Sequence, residues 1–177
     1  MTPLNARRDG TEIAMDDDRP LREQVAGLLR GGHAHMPFAE AVADFPEEHI
    51  NTRPPHVPYS FWHLIEHLRI TQADILDYLT NADYQEPAWP QEYWPALDER
   101  ASKREWDESV AQFERDLEAI VAIVADETTD LFATVPSNDE HTILREALIV
   151  ADHNAYHFGE LGILRQIEGA WGKEHAE

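Results

Sequence analysis

Apolar residues recur along this chain at the three- and four-residue spacing of amphipathic helices, and no segment alternates with the two-residue period of a strand. The pattern predicts four principal helices, at about residues 20–30, 59–81, 102–126 and 137–169. A shorter apolar element is predicted at residues 37–44. We therefore expect an all-α protein.

Local signals place the ends of these helices. Gly31 and Gly32 are expected to stop the first helix, because glycine adopts the conformations that end helices at little cost. The S-x-x-E pattern of a capping box begins the third helix at Ser102, and a second such pattern, starting at Ser137, predicts the beginning of the fourth.

The connections between the helices indicate how they are arranged. A connection of about 20 residues, 82–101, joins the second helix to the third, and a crossover of that length allows two sequential helices to run parallel. We therefore predict a four-helix bundle in up-down-down-up order. The bundle domain is expected at residues 19–172, with a disordered N-terminal tail at 1–18 and a C-terminal tail at 173–177.

Composition narrows the classes of function. The chain of 177 residues carries a formal charge of −21, from 35 acidic and 14 basic residues, which disfavours contact with nucleic acid. It has no cysteine, so disulfides, thiolate metal sites and a cysteine nucleophile are excluded. Neither a signal peptide nor a membrane-spanning segment is recognisable, and we expect a cytoplasmic protein.

Two histidines interrupt the apolar face of the fourth helix. His153 and His157 are four residues apart, so their imidazoles project from the same side of the helix. By helical count the same face carries apolar residues such as Val150, Leu164 and Ile167. Two neutral imidazoles in an apolar core need polar partners, and one metal ion satisfies both.

A third histidine occupies an expected core position on the second helix. His67 lies on the face that carries Leu64 and Ile75, and facing helices of a bundle can build a metal site from inward side chains. Three imidazoles and one open coordination position are typical of a catalytic rather than a structural zinc site. The alternative is that each histidine is a core residue bonded to a carbonyl or carboxylate group.

Two other metal-binding motifs compete with the three-histidine site. The segment 63–67 matches H-x-x-E-H, in which His63 and His67 bind zinc, Glu66 is the general base and Glu140 or Glu146 supplies a further ligand. The match is short, and it leaves the histidine pair of the fourth helix without a role. A di-iron bundle is disfavoured because no glutamate has a histidine three residues later.

The segments around these histidines resemble the DinB/YfiT-like superfamily. The resemblance lies in residues 62–69, 145–148 and 151–160, together with the Tyr-Trp-Pro sequence at 93–95. It implies a four-helix bundle in up-down-down-up order that holds a divalent ion, zinc or nickel, and often forms a homodimer. The implied ligands match His67, His153 and His157.

The resemblance leaves the activity open. Members include transferases and isomerases that use a low-molecular-weight thiol, and proteins described as metal-dependent hydrolases. We expect a metal-dependent enzyme acting on a small molecule; the alternative is a non-catalytic, stress-associated, metal-binding homodimer. Glu160 replaces a glutamine found in relatives. It is expected to orient a bound water, act as a base, hydrogen-bond a ligand histidine, or pair with Arg165 or solvent. Either Glu160 or Glu66 is expected to transfer protons as the catalytic carboxylate.

Aromatic residues are concentrated in the long connection. They either form the wall of a substrate pocket or anchor the connection to the bundle; these residues are Tyr84, Trp89, Tyr93 and Trp94.

Overall fold

The computed structural model of the chain describes residues 17–171, and within that range it contains helices and no β-strand. The elements are α1 (Arg19–Arg30), α2 (Phe38–Val42), a 3-10 helix (Glu47–His49), α3 (Phe61–Thr80), α4 (Lys103–Ala125) and α5 (Ile143–Glu168). The all-α prediction is confirmed. No helix in this part of the chain is long and apolar enough to cross a membrane. Residues 1–16 of the N-terminal tail predicted at 1–18, and the whole C-terminal tail predicted at 173–177, lie outside the described residues.

The four long helices pack as a bundle. Helix α1 contacts α4 and α5, and α3 contacts the same two helices, so α1 and α3 occupy opposite corners. The short helix α2 packs against α5. The up-down-down-up order stays a prediction, while the pairing of α3 with α5 brings together the two helices that carry the histidines of interest.

A group of three phenylalanines fills the centre of the core. Phe38 of α2 lies between Phe113 of α4 and Phe158 of α5, with ring centroids 4.1 and 5.4 Å away. All three rings are buried. Aromatic rings bury large apolar areas and pack well in tilted arrangements. The short helix α2 thus fixes α4 and α5 relative to each other below the histidine cluster.

Side-chain caps define the beginnings of the long helices. The hydroxyl of Ser60 accepts from the backbone N–H of His63 at the start of α3, and the predicted capping box at Ser102 is present at the start of α4. The box predicted at Ser137 is wrong. Helix α5 begins six residues later, and Thr142 is its cap.

Buried arginines tie connections to the bundle. Arg22 of α1 donates to three carbonyl groups at and beyond the end of α4, and these belong to Val124, Asp126 and Thr129. Arg165 of α5 donates in the same way to carbonyls at and beyond the end of α2 and after the end of α5. A planar guanidinium with five N–H donors can satisfy several carbonyls that have no helical partner.

Candidate metal centre

Three imidazoles from two helices meet inside the bundle. His67 on α3 has its ring centroid 5.2 Å from that of His153 and 5.0 Å from that of His157, both on α5. The two α5 rings are 4.6 Å apart. One ring nitrogen of each residue lies within 4.8 Å of the other two. The structure therefore brings together the three residues that the sequence singled out as ligands.

The separation of two ring nitrogens fits a shared ion. The Nε2 atoms of His67 and His153 are 3.2 Å apart. Two nitrogens bonded to one zinc ion at about 2.05 Å, with tetrahedral angles, lie about 3.3 Å apart. A hydrogen bond between the two rings explains the same distance, but it leaves the convergence of His157 unexplained, whereas a shared ion explains all three rings.

The remaining ring nitrogens fix the orientation of two imidazoles. The Nδ1 atom of His67 lies 2.7 Å from the carbonyl oxygen of Tyr93, which only accepts, so Nδ1 carries the proton and donates. The Nδ1 atom of His157 donates to the carboxylate of Glu160 over 2.7 Å. With the proton held on Nδ1, the neutral form of each ring has its lone pair on Nε2, which is the form that binds a metal.

Burial keeps two imidazoles of the cluster neutral. It lowers the pKa of His67 and of His153 from 6.5 to about 4, and repulsion from His157 lowers both further. At pH 7 these two imidazoles are uncharged. Neutral imidazole is the protonation state that a divalent ion requires, so no proton has to be displaced from either ring for binding.

A cavity of about 310 Å³ lies against the three imidazoles. Its wall includes Trp89, Tyr93 and Trp94 from the connection between α3 and α4, which is one of the two roles expected for the aromatic residues there. The ring of Trp94 stacks on His67 with centroids 3.8 Å apart and planes 4° apart. Tyr84, the fourth predicted wall residue, lines the neighbouring cavity instead.

Glu160 contacts a histidine of the cluster from its outer side. One carboxylate oxygen accepts from His157, and the other accepts from the hydroxyl of Tyr59. Burial raises the pKa of Glu160, but these two donors outweigh burial and hold its pKa below the usual range. Of the expected roles, the structure shows contact with a ligand histidine. Pairing with Arg165 is wrong, because that guanidinium bonds to backbone carbonyls.

Glu66 lies away from the three imidazoles. Its carboxylate accepts from the guanidinium of Arg69 and from the hydroxyl of Ser109 on α4, and it lines a separate cavity on that side. An ion pair and a hydroxyl donor already occupy both oxygens. The structure therefore does not place this predicted catalytic residue where it can reach a ligand in the cavity beside His67.

The H-x-x-E-H interpretation is also wrong, because both ring nitrogens of His63 are already bonded to other protein groups. The Nε2 atom of His63 donates to the carbonyl oxygen of Ala96 over 2.9 Å, and its Nδ1 atom is 2.6 Å from the hydroxyl of Ser60. Both ring nitrogens are thus bonded to protein groups, one at the start of α3 and the other in the connection between α3 and α4. Glu146, one of the further ligands considered, is ion-paired with the arginine that precedes it.

One carboxylate of the cavity was missed in the sequence. Asp74 lies on α3 seven residues after His67 and lines the cavity with it. The hydroxyls of Tyr84 and Tyr93 donate to its two oxygens over 2.8 and 2.9 Å. Burial raises the pKa of Asp74 above the usual range, although the hydroxyl donors oppose that shift. The only signal in the sequence was its spacing from His67, two turns along one face.

The donor set fits a borderline divalent ion. Imidazole nitrogen suits zinc and nickel, and three such donors beside a cavity leave room for a further, non-protein ligand. The arrangement places the molecule among helical bundles with a three-histidine cluster that could hold a divalent metal ion. A match to a known protein family narrows this class further.

A family model described as the DinB superfamily matches residues 33–161, well over half of the chain. The chain belongs to the DinB superfamily, and the resemblance noted in the sequence is confirmed. The matched region contains all three clustered histidines together with Glu160. No curated protein and no solved structure matches the chain.

Proposed function

We propose that this protein is a metal-dependent enzyme acting on small molecules, of the hydrolase or thiol-transferase type. A zinc or nickel ion is held by His67, His153 and His157. The observation that carries the proposal is the cavity of about 310 Å³ directly against the three imidazoles. Its volume is in the range of small-molecule sites, and a closed structural site of four protein ligands has no such space.

The chain's own groups prepare the site. When bound, a divalent ion supplies acidity to water or to the thiol of a low-molecular-weight cosubstrate. The carbonyl of Tyr93 and the carboxylate of Glu160 hold two imidazoles by their outer nitrogens, so their inner nitrogens point at one place. Trp94, stacked on His67, covers one side of the cluster and restricts water there.

The position of Glu160 favours catalysis over a purely structural site. A carboxylate that closed the coordination sphere would face the ring nitrogens on the inner side of the cluster. Glu160 instead bonds to the outer nitrogen of His157 and to Tyr59. This carboxylate orients a ligand histidine, and the side of the cluster that faces the cavity is left to a small molecule.

Metal analysis of the full chain, purified without an affinity tag, tests the site. We expect about one zinc or nickel ion per chain, and His153→Ala is expected to weaken binding by more than about a hundredfold, since loss of outer partners alone costs ten- to a hundredfold. His33→Ala, which removes an exposed imidazole before α2, is the matched control and is expected to keep the ion. Equal metal content in the His153→Ala protein and the unmodified chain would refute the site.

Activity is tested on the same samples. A panel of nitrophenyl esters tests hydrolysis, and a panel of small thiols with a chromogenic electrophile tests thiol transfer. We expect turnover in one panel that is lost on chelation and restored by zinc or nickel. A chain that binds one ion tightly and turns over nothing in either panel would support the non-catalytic alternative instead.

A further inference from the structure

The cavity beside the histidines borders a second one. A cavity of about 430 Å³ shares Asp74, Ile75, Tyr93 and Ile149 with the cavity at the imidazoles. We call it the side chamber; it extends from this shared wall toward the beginning of α5, where His141 and Glu146 line it. A molecule whose reacting group lies at the histidines therefore has space to place a second group in the side chamber.

The shared wall offers hydrogen-bond acceptors. The hydroxyls of Tyr84 and Tyr93 both donate their protons to Asp74, so each phenol oxygen has only lone pairs left. The carboxylate of Asp74 has about four acceptor sites, and the two hydroxyls use two of them. A ligand group that complements this wall is a hydrogen-bond donor, and an ammonium group offers three donors and no acceptor.

The fixed charges of the side chamber point to the same chemistry. Its three carboxylates are those of Asp74, Glu86 and Glu146, and its arginine, Arg145, is already ion-paired with Glu146. The uncompensated charges are negative, and the whole chain carries −21. The phenol rings of Tyr78 and Tyr84, tilted by 50° with centroids 4.7 Å apart, add faces that attract a cation.

We propose that the substrate carries a primary ammonium group, which binds at Asp74 between the two cavities while the reacting group lies at the three histidines. This inference rests on the proposed function and specifies its substrate class. His67 and Asp74 are seven residues apart on α3, which is about 10 Å along a helix axis. The ammonium nitrogen and the reacting group of the substrate are therefore expected to be about 10 Å apart.

The test is calorimetric binding of 4-phenylbutylamine and of its uncharged analogue 4-phenylbutan-1-ol to the zinc-loaded full chain at pH 7.5. We expect the amine to bind at least about tenfold more tightly than the alcohol, the size of one charge-assisted hydrogen-bonded contact. This comparison needs no variant. Equal affinity of the two compounds would overturn the proposal.

Variants show which residue causes the preference for the amine over the alcohol. Asp74→Asn is expected to abolish it, and Glu114→Gln, which removes the same charge from an exposed position on α4, is expected to keep it. The preference is also expected to persist in zinc-free His153→Ala protein. A preference that is lost in His153→Ala but kept in Asp74→Asn would identify the amine as a metal ligand and overturn the assignment to Asp74.

The ammonium site and the metal-dependent function can be refuted independently of each other. Zinc content and turnover are measured on the same samples as amine binding. Retained zinc and turnover without any amine preference would refute only the ammonium site. An amine preference that depends on Asp74, in a chain that holds no zinc, would support the ammonium site and refute the metal-dependent function.

Discussion

At the scale of single residues, the metal site depends on groups that bond to the outer nitrogens of the imidazoles. Glu160 accepts from His157 and is itself held by Tyr59, so a chain of hydrogen bonds runs from the segment before α3 through Glu160 of α5 to the cluster. A carboxylate partner increases the basicity of a ligand imidazole and fixes which nitrogen carries the proton. This makes Glu160 a positioning residue for the ion.

Removing that carboxylate is expected to weaken the metal site without destroying it. We expect Glu160→Ala to lower nickel affinity by about ten- to a hundredfold, and Glu160→Gln, which keeps an acceptor but loses the charge, by less. Quenching of Trp94 fluorescence on nickel titration is the measurement, since its ring stacks on His67. Glu140→Ala, which removes an exposed carboxylate, is the control; an equal loss in that variant would contradict the role of Glu160.

The three histidines could be predicted because each interrupts an apolar helical face, which is a local property of the sequence. Asp74 and Tyr59 could not be predicted in the same way. Their contacts to Tyr84 and Glu160 join a helix to an irregular connection or to a distant helix, and no sequence periodicity records such pairs. Glu66 matched a motif, but Arg69 and Ser109 determine where its carboxylate points.

At the scale of the elements, the start of α5 shows how tertiary contacts override a local motif. The segment before it folds back on itself, with Val135 N–H donating to the carbonyl of His141 and Ile143 N–H to that of Ala133. Ser137 lies in the turn of this segment and cannot begin a helix there. The helical pattern also assigns Ile167 of α5 to the core, whereas in the structure this side chain is 59% exposed.

Cap substitutions distinguish the two possible starts of α5. Thr142 accepts from the backbone N–H of Arg145 over 3.2 Å, so Thr142→Ala is expected to lower the free energy of unfolding by about 1 kcal/mol. Ser137→Ala, at the incorrectly predicted cap, is expected to change it by less than about 0.5 kcal/mol. Urea unfolding of both variants is the measurement. A larger loss for Ser137→Ala than for Thr142→Ala would show that the helix begins earlier.

At the scale of the whole molecule, the histidine cluster joins two helices that are distant in sequence. His67 and His153 are 86 positions apart, and an ion bound by both cross-links α3 to α5. Binding to the folded state alone stabilises a protein in proportion to the logarithm of free ligand concentration. The all-α bundle was predictable from periodicity, whereas the depth at which the imidazoles lie depends on the packing of both helices with the aromatic connection.

The burial of the imidazoles makes the stability of the metal-free chain depend on pH. Histidines with an ordinary pKa of 6.5 when unfolded, and of about 4 when folded, bind more protons in the unfolded state between those values. Their contribution to stability is complete above pH 6.5 and is lost as pH falls toward 4. The pKa of Glu160 is lowered from its ordinary value of 4.5, so this carboxylate changes the pH dependence of stability only at lower pH. The interval from pH 6.5 to 5 therefore reports on the histidines.

We expect the free energy of unfolding of the EDTA-treated chain to fall between pH 6.5 and 5, with a slope of at most about 1.4 kcal/mol per pH unit for each buried histidine. His153→Gln removes one of the two titrating rings, so its slope is expected to be about half as steep. Urea unfolding at several pH values measures both slopes, and His33→Gln, at an exposed imidazole, is the control. Identical slopes for His153→Gln and the unmodified chain would mean that the cluster is accessible to protons in the folded state, which its burial between α3, α5 and Trp94 argues against.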